Sequence, residues 1–101
     1  MPNHIIETVT FRLKDGIDHA DFAKSANAMN TYVTGCAGFI ARRLSRGADG
    51  LWIEHIEWQD MASAKAAAAG IGVPEGNRPF LSAIDGPSVT MTHTELEVSV
   101  N

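Results

Sequence analysis

The chain has 101 residues, 45% of them hydrophobic and 20% charged, with a formal net charge of −4. That length supports one domain with a single modest core and is short of two, and the acidic balance argues against nucleic acid or an anionic membrane as partner, since both require a basic patch. Cys36 is the lone cysteine, so no intramolecular disulfide forms, and with neither a basic leader nor a long apolar run the expectation is a cytoplasmic protein without signal peptide or membrane span.

In chain order, Val9, Phe11 and Leu13 alternate with Thr8, Thr10 and Arg12, which predicts a half-buried strand over residues 4–13. Lys14-Asp15-Gly16 ends it with turn residues. Asp18 is suited to cap a helix over residues 18–33, Asp21 places a carboxylate at the favourable end of its dipole, and Phe22, Ala26, Met29 and Val33 form one apolar stripe. Glycines 35 and 38 open a strand over residues 39–46, which a short glycine-bearing loop joins to a strand over residues 51–58 as a hairpin. Asp60 then caps an alanine-rich helix over residues 61–69, slim enough to approach a sheet closely, and Gly70, Gly72 and Pro74 stop it. Pro79 suits the start of a further helical turn carrying Phe80 and Ile84, and Asp85-Gly86-Pro87 turns into a last strand over residues 89–98.

The order βαββαβ predicts a single α+β domain over residues 1–101: a ferredoxin-like, four-stranded antiparallel sheet with its helices on one face. The other face is left bare. Strand parity assigns Ile6, Thr8, Thr10, Arg12, Glu54, Ile56 and Trp58 to it, a mixture too apolar for water and too polar for an ordinary core. A second copy is expected to cover it, the homodimer closing an α/β barrel around semi-polar cavities.

The run Glu7 to Gly16, the segment Gly38-Phe39-Ile40, and Ile56-Glu57-Trp58 followed by Asp60 to Ala64 together resemble the dimeric α/β-barrel superfamily, nearest its antibiotic-biosynthesis monooxygenase-like group. The resemblance spans nearly the whole chain. It implies a homodimer whose sheets face each other, with small-molecule cavities inside, and a tryptophan at the position of Trp58 that lines the substrate pocket. Haem-degrading proteins that share this fold use a strand-one asparagine and an iron-ligating histidine near the second helix. Here the first strand offers Thr8, Val9 and Thr10, and residues 71–84 contain no histidine, so haem is not expected.

Candidate site residues follow from strand parity and chemistry. Trp58 is either a pocket wall or a plug at the end of the barrel, and Trp52 shares its parity. His93, as an imidazole within the last strand, is a candidate base near neutral pH, yet it is shielded from the cavity if Val89 and Met91 pack on the helices. Glu54 either titrates high through desolvation or pairs with Arg42 or Arg43 on the neighbouring strand. Arg43, if it faces the cavity, is suited to hold an anionic oxygen, while Arg12 caps the mouth or bridges the dimer. His4, His19, His55 and His93 show no ligand spacing, so no metal site is expected, and no Ser-His-Asp set, phosphate loop or dinucleotide fingerprint is present.

The resulting expectation is a small-molecule-binding dimeric barrel, acting without cofactor as a monooxygenase on an aromatic, polyketide-like phenol or quinol. His93 or Glu54 would be the base, Arg43 the anion holder, and Trp58, Trp52, Thr8, Thr10 and Arg12 the substrate contacts. The alternatives are a non-catalytic barrel of the stress-responsive kind that binds a metabolite, and an isomerase or decarboxylase using the same pocket.

Overall fold

The computed structural model describes residues 3–100. Four strands, β1 (Ile5–Phe11), β2 (Phe39–Arg46), β3 (Trp52–Trp58) and β4 (Thr90–Glu95), form one antiparallel sheet in the order β2-β3-β1-β4. This is the ferredoxin-like arrangement expected from the element order. One side of the sheet carries α1 (His19–Ala28), α2 (Asn30–Thr34), α3 (Met61–Gly70) and α4 (Arg78–Ala83). The expected caps are present: the Asp18 carboxylate accepts from the Asp21 N–H, and that of Asp60 from the Ser63 N–H. Pro79 lies in the first turn of α4. Among the described residues no helix is long and apolar enough to cross a membrane.

The register sorts every strand side chain onto one of two faces. Glu7 lies opposite Ile56 and His93, and Val9 opposite Glu54 and Met91. Ile5, Glu7, Val9 and Phe11 therefore share the helix side with Trp52, Glu54, Ile56 and Trp58. The open side carries Ile6, Thr8 and Thr10 together with Ile53, His55 and Glu57, flanked by the β4 threonines. This corrects the assignment of Glu54, Ile56, Trp58 and Trp52 to the bare face beside Thr8 and Thr10. Two tryptophans and an isoleucine have far more apolar area to remove from water than Ile53, His55 and Glu57, and the helices are where that area is removed.

A second difference concerns the first helix. One helix over residues 18–33 was expected, and the chain instead breaks at Met29 into α1 and α2. Arg42 supplies the reason. Its Nη1 donates to the Ala26 carbonyl at 2.7 Å and to Asn30 Oδ1 at 3.0 Å. The Ala26 carbonyl is the acceptor that the Asn30 N–H would use in an unbroken helix, so a side chain inserted into the ladder ends it there.

The helix side packs as two clusters. Phe11, Phe22, Met29, Trp52 and Phe80 form an aromatic group at one end, with Phe22 stacked on Phe80 and Trp52 edge-on to Phe22. Ile5, Ile56, Trp58, Ala64 and Ala67 form the other, where the small side chains of α3 let its backbone come close to the sheet. At the mouth of β2, Gly38 adopts φ +81°, and a Cβ there would overlap the Ser63 side chain at the start of α3. Gly38→Ala is accordingly expected to destabilise the fold by at least about 1–2 kcal/mol from the left-handed backbone alone. For a domain of this size that lowers the melting temperature by roughly 4–8 °C per kcal/mol, read by thermal unfolding.

Candidate functional site

Between the two clusters the core does not close. A cavity of about 330 Å³ lies there between sheet and helices. Its floor is formed by Glu7 and Val9 of β1 and by Glu54, Ile56 and Trp58 of β3, and its roof by Tyr32, Val33 and Ala67 of the helices, with Phe80 at one end. The gap follows from composition: on α3 the residues facing it are Ala67 and Ala68, which reach little into the space that the large side chains on either side hold open. Gly86, Val89 and Met91 also line it and are themselves exposed, so the cavity meets solvent along the β4 edge.

Most of this lining is hydrocarbon, and two carboxylates interrupt it. Glu7 and Glu54 are 7% and 6% exposed. Glu7 Oε1 is 3.1 Å from His93 Nε2, and Glu54 Oε1 accepts from Arg42 Nε at 2.5 Å. In each case Oε2 makes no hydrogen bond to the described residues. Burial pushes the Glu54 carboxyl above its ordinary range; the Arg42 cation opposes this and the neighbouring Glu7 charge adds to it. Arg42 also lies over the Phe80 ring, 5.6 Å from its centroid. The Tyr32 hydroxyl donates to the Ala67 carbonyl, and burial raises its pKa. Two buried donors have no partner among the described residues: Arg42 Nη2 and the indole Nε1 of Trp58. Such groups are costly to leave unpaired and are suited to a ligand oxygen.

The residues singled out from the sequence are distributed as follows. Trp58 and Glu54 line the cavity, and His93 stands behind Glu7 rather than in the wall. Glu54 takes Arg42 as its ion-pair partner, one of the two arginines considered. Arg43 is exposed on the open side opposite His55, across the sheet from the cavity. Trp52 has the parity of Trp58 but packs into the aromatic cluster. Thr8 and Thr10 lie on the open side, and Arg12 pairs within the chain with Asp49 of the β2–β3 loop at 3.2 Å. Glu7 was missed. The signal was available, because Glu7 has the parity of Val9 and Phe11 and is thus a carboxylate in a row otherwise turned to the core.

No protein-family model and no curated protein sequence matches the chain. Solved structures do match over nearly its whole length. A point mutant of SnoaB, a cofactor-independent oxygenase from Streptomyces nogalater, superposes with a TM-score of 0.70 at 15% identity, covering 98% of this chain and 96% of that one. A Bordetella bronchiseptica protein assigned as an antibiotic biosynthesis monooxygenase reaches 0.79 at 12% identity, covering 95% of this chain and 99% of its own. A mutant of MhuD with two manganese protoporphyrin IX bound per active site reaches 0.76 at 18% identity, covering 96% and 98%. The expected likeness to the antibiotic-biosynthesis monooxygenase-like group is therefore present, at the level of fold. The porphyrin of the last structure does not suit this cavity. Its lining has neither histidine nor cysteine, its one phenol is engaged with Ala67, and its floor carries two buried carboxylates.

The Glu54–Arg42 pair makes a stability prediction. Unfolded, Glu54 titrates near the ordinary 4.5; folded, it titrates higher. Between those values the native state holds a proton that the unfolded state has lost, so this group's contribution is fully present below pH 4.5 and fades as pH rises through the folded value. Glu54→Leu alone is expected to cost about 3–5 kcal/mol, because it strands the buried Arg42 cation. The double variant Arg42→Met with Glu54→Leu should recover most of that loss and flatten the acid-side pH dependence, as read from urea midpoints across pH.

Proposed function

We propose that the chain is a small-molecule-binding barrel protein that oxygenates a phenolic or enolic aromatic substrate in its sheet–helix cavity without a cofactor. The observation that carries this reading is an apolar cavity of about 330 Å³ with two buried carboxylates on its floor. An electron-rich phenol or anthrone-type enol supplies its own reducing electrons. A base removes a proton, the resulting carbanion attacks dioxygen, and a methylene carbon becomes a carbonyl, one oxygen atom entering the product and the other leaving as water. Such a step needs a base, a dry pocket and donors for the developing oxyanion. Glu54 and the Glu7–His93 pair are the bases at hand. Trp58 forms a wall and offers its unpartnered indole N–H to a substrate oxygen. Anion holding suits Arg42, next to the cavity, rather than Arg43.

The open side of the sheet supports a homodimer. Ile53 is 38% exposed there beside the threonines of β1 and β4, and pairing with the same face of a second copy would remove this apolar and hydroxyl surface from water. The acidic balance and the single cysteine support a cytoplasmic location.

With an anthrone-type substrate under air, the protein is expected to consume oxygen stoichiometrically with quinone formed. Trp58→Phe, which keeps the wall and loses the N–H, should weaken aromatic ligand binding about fivefold, the worth of one hydrogen bond of about 1 kcal/mol. Stabilisation by aromatic ligands without oxygen uptake would identify a binding protein instead, and absence of any stabilisation would remove the cavity from consideration. For the dimer, Ile53→Lys should convert the particle to a monomer in solution scattering, with unfolding still cooperative and its midpoint lowered and no longer dependent on protein concentration.

A further inference from the structure

We propose that Glu7 is the proton acceptor of the cavity and that its natural ligand is a neutral, ionisable hydroxyl compound rather than an anion. This deepens the reading of the cavity given above and rests on it. Two carboxylates face the space, and only one of them is matched by a permanent cation. Glu54 is held by Arg42, whose guanidinium cannot take or release a proton. A proton arriving at Glu54 therefore has no partner to move to. Glu7 differs in this respect. Its Oε1 is bonded to His93 Nε2 at 3.1 Å, and the two side chains are 9% and 22% exposed, so the pair runs from the cavity floor toward solvent at the β4 edge. Imidazole is an acid–base group by its chemistry, and its contact with Glu7 gives a proton a route from the cavity floor toward the β4 edge.

The geometry divides the labour. His93 occupies Oε1 and so leaves Oε2 for the cavity, where Glu7 contributes to the lining. In the step, the substrate O–H bond breaks heterolytically, its proton goes to Glu7 Oε2, and the electron pair remains on the substrate oxygen as a phenolate. The Glu7–His93 pair then holds one proton more and keeps it for as long as the phenolate is bound, His93 being the member of the pair nearer solvent. Total charge in the cavity is unchanged, so the new anion adds no net charge to a site that already holds Glu54. A ligand that enters already ionised would instead place a third negative charge beside Glu7 and Glu54 against the single cation of Arg42. The groups that face Glu7 are thus His93 from β4, Glu54 from β3 with Arg42 behind it from β2, and the Tyr32 hydroxyl of α2 across the cavity. Glu7 is the catalytic residue under this reading, and His93 positions it.

The test uses 4-nitrophenol, whose phenolate absorbs separately from the phenol, bound to the whole protein at a pH below the probe's own pKa. Wild type should bind it, as seen by thermal shift, and show the phenolate band. Glu7→Gln should still bind it but with the ionised fraction reduced about tenfold or more, one pKa unit of proton affinity. His93→Gln should give an intermediate loss, and Glu54→Gln should retain the band. If Glu7→Gln misfolds, His93→Gln against Glu54→Gln still decides the question. Loss of the band in Glu54→Gln alone, or wild type binding the probe only as phenol, overturns the proposal and leaves the cavity reading standing. Benzoate bound as tightly as the nitrophenol overturns the preference for a neutral ligand. No stabilisation of wild type by any phenol overturns both.

Discussion

Two carboxylates on the side of the sheet that the helices cover are the constraint around which this molecule is arranged. A buried carboxylate without compensation is strongly disfavoured, and each of these has drawn in a partner. Glu54 holds Arg42, and Arg42 in turn takes the Ala26 carbonyl and the Asn30 amide oxygen, which divides the first helix at Met29. Glu7 holds His93 of the neighbouring strand. A local choice of residue on β1 and β3 is thereby felt in helix geometry, in the placement of β4 side chains and in the electrostatics of the space between.

That space exists because the two ends of the core are filled by different means. At one end large aromatic rings stack against one another; at the other, alanines let α3 approach the sheet closely around Trp58. Neither solution reaches the middle, and an apolar cavity remains there with its polar groups concentrated on the floor. Dry walls strengthen every charge interaction inside. The same feature that raises the Glu54 pKa thus makes the cavity a place where a proton transfer is strongly governed by a few named atoms. Two buried donors, Arg42 Nη2 and Trp58 Nε1, have no hydrogen-bond partner among the described residues. Solved structures that share the fold include a cofactor-independent oxygenase and a porphyrin-bound protein. This scaffold accommodates different chemistries, and the side chains of the cavity, not the topology, separate them.

The architecture was legible in the residues. Alternation in β1, the capping aspartates Asp18 and Asp60, the glycine-bearing hairpin and Pro79 each specify local structure through short-range physics, and their order leaves one sheet topology. The chemistry was legible in part. Glu54, Trp58 and His93 were identifiable as polar or aromatic groups in strands, and the Arg42 pairing was one of two choices that antiparallel neighbours allow. Parity alone shows which residues share a face, but not which face the helices take. That choice depends on comparing the apolar area of two rows over four strands at once, and it moved Glu54, Trp58 and Trp52 away from Thr8, Thr10 and Arg43.

By itself, then, the amino-acid order determined the strands, the caps, the sheet and the acidic character of the chain, because each of these is set by neighbours within a few residues or by composition. Tertiary structure decided where the cavity lies, that Glu7 and His93 meet across 86 positions of sequence, and that Arg42 rather than Arg43 faces Glu54. Those outcomes depend on how slim and bulky side chains from distant segments fill a shared volume, a quantity that no local pattern contains.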